Sequence, residues 1–257
     1  MSTGFLDPGL RIVLVGTQHP GNIGSAARAM KTMGLGELAL VAPHKPQHPD
    51  AFAMAAGADD VLAGARICGS LEEAVADCGF VAGCTARLRQ VTLPEFAPRD
   101  AAQRLLDETR HGAVALVFGP ERTGLTNEDL QRCHATVHIP ANPGYSSLNL
   151  AAAVQVLCYE LRLAILARAG EAGAAAIGPD AERGDPPATQ AQMEAFFVHL
   201  EQTLHAIDFH KGRSPTTVVR RLRALFLRAQ PDARELRILR GIFADAERMA
   251  RLAGSDA

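Results

Sequence analysis

At 257 residues the chain can build one large domain or two smaller ones. Its 47% hydrophobic and 21% charged residues are an ordinary globular composition, which argues against a disordered chain and against a membrane protein. A net charge of −2 gives no bulk signal of a nucleic-acid partner, so any such surface has to arise from local segregation of charge.

The opening stretch "MSTGFLDPGLRIVLVG" has no basic region leading into an apolar run and predicts no secretory signal. Apolar runs at 11–16, 37–42, 80–85, 113–119 and 135–140 read as strands, with a weaker one at 65–68. Most are continuous rather than alternating, the pattern of a parallel sheet covered on both faces. Helices lie between them, and two carry explicit start signals: Ser70 followed by Glu73, and Thr126 followed by Asp129. The expected fold class is therefore α/β. The long apolar segment Leu148 to Ala169 is interrupted by Gln155, Glu160, Arg162 and Arg168, and reads as a core helix rather than a membrane span. Five cysteines (68, 78, 84, 133, 158) without paired spacing are expected to be reduced thiols in a cytoplasm.

Beyond this point the character changes. Residues 170–189 are rich in Gly, Ala and Pro without apolar period and read as a linker. Helices follow at about 190–207, 215–229 and 231–252, with Pro215 and Pro231 expected in first turns. The organisation is thus an α/β domain over 1–169, a linker over 170–189 and a small all-α extension over 190–257.

Three Gly- or Asn-rich loops follow three of the strands. The first, "GTQHPGNIGSAARAMKTMG" (16–34), enters a helix through Gly21, Asn22 and Gly24, with Arg28 one turn further on and within reach of the same region. It fits neither G-x-G-x-x-G nor the phosphate-loop spacing. In the second, "VFGPERTGLTNEDL" (117–130), Gly119 ends a strand, Glu121 and Arg122 follow, and Gly124 precedes the Thr126 cap. The Glu121–Arg122 pair reads equally well as a solvated loop pair. In the third, "NPGYSSLNLAAAVQV" (142–156), Ser146 or Ser147 can cap the helix and Asn149 lies in its first turn. One cap needs one such group, so the surplus points to a ligand pocket at the carboxyl end of the sheet.

The order and internal spacing of these loops resemble the SpoU branch of the SPOUT methyltransferases: Asn22-x-G-x-x-x-Arg28, then Phe118-Gly119-x-Glu121 with Gly124-Leu125, then Tyr145-Ser146-Ser147-Leu148-Asn149-Leu150. The likeness extends to "LEQTL" and "RILRGIFADAER", which resemble the helical extension of the tRNA 2′-O-ribose methyltransferases in that branch. The resemblance implies a parallel sheet with a C-terminal trefoil knot whose loops hold S-adenosylmethionine. By position the cofactor would meet Cys84, Thr85, Ala86, Gly119, Ile139, Ser146, Ser147 and Leu148. It also implies a homodimer with the site at its interface, and methylation of cytidine or uridine ribose in the tRNA anticodon loop, at position 32. Pro120 departs from the family, many of whose members carry Arg there, and proline removes a backbone donor.

The family's candidate for the ribose 2′-hydroxyl is Arg28. A guanidinium scarcely deprotonates, so its expected role is to stabilise the developing alkoxide or clamp a phosphate. Asn22, Glu121, Ser147 and Asn149 would position it and the ribose. Cys133, His134 and His138 lack a convincing fourth ligand and read as structural, as does Cys84, and His44 and His48 read as exposed, so no metal is expected. Between Asp208 and Arg240 nine basic residues face three acids. Leu222, Leu225, Phe226, Ile238 and Leu239 are expected inward, with Arg220, Arg221 and Arg223 outward as a footprint for tRNA phosphates, the alternative being a solvated face. Two other functions compete with this one: a ribosomal RNA methyltransferase of the same branch, and an RNA-binding protein without catalysis.

Overall fold

A computed structural model describes residues 9–86, 93–171, 186–211 and 214–255. Residues 1–8 of the stretch read for a signal and most of the expected linker lie outside the described residues. Seven strands form one sheet: β1 (Leu10–Val15), β2 (Leu38–Val41), β3 (Arg66–Cys68), β4 (Cys78–Cys84), β5 (Glu95–Phe96), β6 (Ala113–Phe118) and β7 (Ala135–Val137). Their order is β3-β2-β1-β6-β4-β7-β5, and every pairing is parallel. Parallel strands need crossovers, supplied by α1 (Pro20–Thr32), α2 (Pro49–Ala55), α3 (Asp59–Ala63), α4 (Leu71–Val75), α5 (Pro98–Glu108) and α6 (Asn127–Leu130).

Both faces of the sheet are covered, which explains the unbroken apolar runs. Leu10, Ile12 and Leu14 point to one side, into a core shared with Ile23 and Met30 of α1, Leu105 of α5, and Val154, Leu157 and Leu161 of α7 (Leu150–Glu171). Val13, Val41, Val81 and Val117 point to the other, against Leu71 and Val75 of α4 and Leu130 of α6. Helix α7 is long and apolar enough to cross a membrane by length and composition, yet it packs along α1 and α5. Ser70 accepts from the Glu73 N–H, and Thr126 and Asp129 form a reciprocal capping box, as their spacing predicts.

Helices α8 (Gln190–Ala206), α9 (Thr216–Ala229) and α10 (Ala233–Ser255) enclose a separate core of Met193, Phe196, Phe197, Leu200, Leu227 and Leu236. This unit docks at the amino ends of the strands. The Ala191 N–H donates to the carbonyl of Ala76, just ahead of β4, and Arg104 of α5 donates to the Gln230 side chain.

Several expectations shift here. Leu222, Phe226 and Leu239 pack on the helical core, but Leu225 and Ile238 are 47% and 59% exposed. Each lies one residue, about 100° of helix, from a neighbour that does face the core. Pro231 precedes α10 instead of lying in its first turn, because Asp232 accepts from the N–H groups of Arg234 and Glu235 and so starts the helix. The run at 135–140 is a strand only to Val137. Strand β5, whose two residues carry no periodic signal, was invisible in the sequence.

Candidate active site

The loops after β4, β6 and β7 meet at the carboxyl ends of their strands and line one cleft. Its walls are Cys84, Thr85 and Ala86 from the first, Phe118 through Gly124 from the second, and Ile139, Ser147, Leu148, Leu150 and Ala153 from the third. Every residue expected to meet a cofactor is in this wall except Ser146. Gly119 is glycine for a local reason: a Cβ there would sit 2.2 Å from the Leu125 nitrogen, so the loop closes only on a bare backbone. Pro120, where the family often has Arg, lays its ring against Gly16, whose φ of +58° is in the left-handed region.

Hydrogen bonds tie the three motif loops together beside this cleft. Glu121 Oε2 accepts from the Gln18 N–H at 3.0 Å, while Oε1 accepts from the His19 N–H at 3.1 Å and from Asn22 Nδ2 at 2.9 Å. Asn22 Oδ1 in turn accepts from Asn149 Nδ2 at 3.1 Å. Asn149 Oδ1 accepts from the N–H groups of Ala151 and Ala152 and thereby caps α7. Partial burial pushes the Glu121 carboxyl up, but the donors from Asn22, Gln18, its own backbone and His19 outweigh that and hold it below the usual carboxylate range. With both oxygens engaged, Glu121 organises the loops and is not a free base.

The helix therefore starts at Leu150, not near Ser147, and its cap is Asn149. Sequence reasoning assigned the cap to a serine because Ser and Asn serve equally well there. The Gln18 and His19 backbone donors were missed, since amide groups carry no side-chain signature.

Arg28 is not brought into the cleft. It is exposed on α1, and its side chain makes no hydrogen bond or ion pair among the described residues. Six positions after Asn22 it points about 120° away from that residue's direction on the helix. Arg220 and Arg221 are exposed on α9, as expected. Arg223 is not: its side chain is 13% exposed, pairs with Glu194 of α8, and lies over the Phe197 ring at 4.2 Å. A guanidinium spent on packing two helices together is a poor phosphate contact.

The residues read as structural have local roles. His134 is buried, stacks on Phe80 and accepts from the Val81 N–H through Nδ1 at 3.0 Å. Burial drives its pKa down to about 4, so it is neutral. Burial pushes the Cys84 and Cys133 thiols up to about 12, which removes them as nucleophiles. His44 is exposed, whereas His48 is half-buried and caps α2 through Asp50.

Comparison with known proteins identifies the family. Residues 9–159 match the SpoU rRNA Methylase family, and residues 191–255 match the C-terminal domain of the tRNA methyltransferase TrmJ. The tRNA (cytidine/uridine-2'-O-)-methyltransferase TrmJ of Escherichia coli K12 is 49% identical over 239 residues, covering 93% of this chain and 95% of that protein. Its Klebsiella pneumoniae counterpart is also 49% identical, with 93% and 96% covered. The crystal structure of TrmJ from Z. mobilis ZM4 superposes with a TM-score of 0.77 at 40% identity, over 92% of this chain and 98% of that one. With more than half of its length matched to one family, and near-complete relatives at 49% identity, the chain belongs to the SpoU methylases.

Proposed function

We infer that this protein transfers a methyl group from S-adenosylmethionine to a ribose 2′-hydroxyl of tRNA, in the anticodon loop. The observation that carries this reading is the hydrogen-bonded chain Glu121–Asn22–Asn149, which ties the first motif loop to two of the loops that line the cleft. The C-terminal match over 191–255 favours tRNA over ribosomal RNA as substrate.

The cleft suits an adenosine-bearing cofactor. Ile139, Leu148, Leu150 and Ala153 offer apolar walls, and Thr85 and Ser147 offer hydroxyls among them. Bound there, S-adenosylmethionine would supply an electrophilic methyl on a sulfonium. The chain's own task is to align the ribose and stabilise charge as the 2′-oxygen loses its proton to water at the cleft mouth. Asn22 and Asn149 orient the ribose, and a guanidinium stabilises the developing alkoxide. Because Arg28 stands outside its own cleft, we assign that role to Arg28 of a second protomer. The exposed stripe Ala152, Tyr159, Leu163 and Leu166 on α7 offers the surface for such a homodimer. The knotted threading of the family, the division into a catalytic unit over 1–169 and an RNA-binding unit over 190–257, and a cytoplasmic location, where five free thiols stay reduced, belong to the same reading.

Methyl transfer from labelled cofactor to a tRNA transcript and, in parallel, to ribosomal RNA, with nucleosides resolved by mass spectrometry, tests it. A 2′-O-methylated cytidine or uridine from the anticodon loop is expected, and label in ribosomal RNA alone would reject it.

A further inference from the structure

Tyr145 is 83% exposed, the highest value among the exposed large apolar side chains described, and the next, Ile238, reaches 59%. Its backbone lies in a hydrogen-bonded turn. Asn142 holds the turn from both of its oxygens, Oδ1 accepting from the Gly144 N–H and the backbone carbonyl from the Tyr145 N–H, each at 2.9 Å. The ring thus projects into water from a hydrogen-bonded turn two residues ahead of Ser147, which is in the wall of the cleft, and the ring is not itself part of that wall. Keeping an aromatic ring out of the core forfeits its burial free energy, which is recovered if another flat apolar surface covers it. Across the cleft, Arg122 lines the second loop, is exposed, and forms no ion pair among the described residues.

A flat ring on one lip and an unpaired guanidinium on the other match the chemistry of single-stranded RNA. Unstacked bases lie on aromatic faces, and the intervening phosphates take cations. We propose that Tyr145 is the stacking platform for a base of the substrate loop beside the ribose being methylated, with Arg122 meeting the adjoining phosphate. The proposal rests on the methyltransferase reading above. It makes Tyr145 a positioning residue for RNA, not a part of the cofactor pocket.

The test uses full-length protein and a tRNA transcript. Tyr145→Ala should raise KM for tRNA by about ten-fold or more with a smaller change in kcat, and Tyr145→Phe should stay within about two-fold of wild type, since a phenyl ring stacks as well. Cofactor affinity by calorimetry should be unchanged in both. Arg122→Ala should raise KM and flatten its salt dependence. A second readout does not need catalysis. The chain has no Trp and two Tyr, so Tyr159→Phe leaves Tyr145 as the sole emitter, and an anticodon-arm stem-loop should quench it. Quenching without any methylation by the wild type would overturn the methyltransferase reading and leave Tyr145 as a base-stacking residue alone. Methylation with no quenching and an unaltered KM in Tyr145→Ala would overturn the platform alone. An equal loss of cofactor affinity, or dissociation of the assembly on substitution, would also overturn it.

Discussion

Asn149 donates its side-chain amide to Asn22 Oδ1 at 3.1 Å while its own Oδ1 caps α7 through the Ala151 and Ala152 N–H groups. One side chain therefore couples the start of a core helix to the first motif loop. The two halves of that role separate by substitution. Asn149→Asp keeps the capping oxygen but sets a second oxygen against Asn22, so thermal stability should hold while methyl transfer falls. Asn149→Ala loses both, and should also cost about 1 kcal/mol of stability. Melting curves and turnover of the two variants check the separation, and a parallel loss in both would refute it.

His134 makes stability pH-dependent. Its folded pKa of about 4 lies below the ordinary 6.5, so the unfolded chain binds the extra proton between those values. Stability contributed by the neutral ring is complete above about pH 6.5 and declines as pH falls toward 4, by on the order of 3 kcal/mol. Urea unfolding across that range should show the decline, and a His134→Gln variant should show less of it.

Arg28→Ala should abolish methyl transfer while leaving cofactor affinity within a few fold, because Arg28 lies outside the cleft wall. Arg28→Lys should fail as well, since an ammonium does not reproduce a planar fork of donors. Calorimetry beside turnover assays reads both effects, and equal losses of affinity and activity would place Arg28 in the cofactor pocket.

The arginines of α9 should divide into two classes. Arg220→Ala with Arg221→Ala should weaken tRNA binding and reduce its salt dependence, leaving the melting curve in place. Arg223→Ala should instead destabilise the helical unit, because it removes the Glu194 pair and the Phe197 contact. Binding isotherms at several salt concentrations, set against thermal melts, distinguish the classes.

Leu163 on the open face of α7 tests assembly. Leu163→Glu should leave the fold intact, since the side chain is not in the core, and yield an inactive monomer by light scattering. A monomer with full activity would refute the shared site.

The sequence revealed most of the sheet because strands buried on both faces leave continuous apolar runs, as around Val13 and Val117. The three motif loops were legible from glycine and asparagine spacing, and seven of the eight expected cofactor residues line one cleft. What escaped depended on direction rather than identity. Nothing in "RRLRALF" says that Arg223 turns inward while Leu225 turns out, since helical phase is set by the partner helix. Likewise Asn149 outcompetes two serines as cap because Asn22 holds its amide, a contact between residues 127 apart in the chain.

The docking of the helical unit at the amino ends of the strands has a consequence for substrate size. The cleft opens at the carboxyl ends, beyond Cys84, whereas Arg220 sits by Arg132, just ahead of β7. Strand β7 begins at Ala135, level with Ala82 of β4, so Arg132 lies ahead of the end of the sheet at which the cleft opens. An RNA arm that reaches both regions of one protomer gains from both at once, through an effective concentration that a fragment confined to one of them lacks. Minimum length thus becomes a criterion of selection, imposed by the scaffold before any base is read.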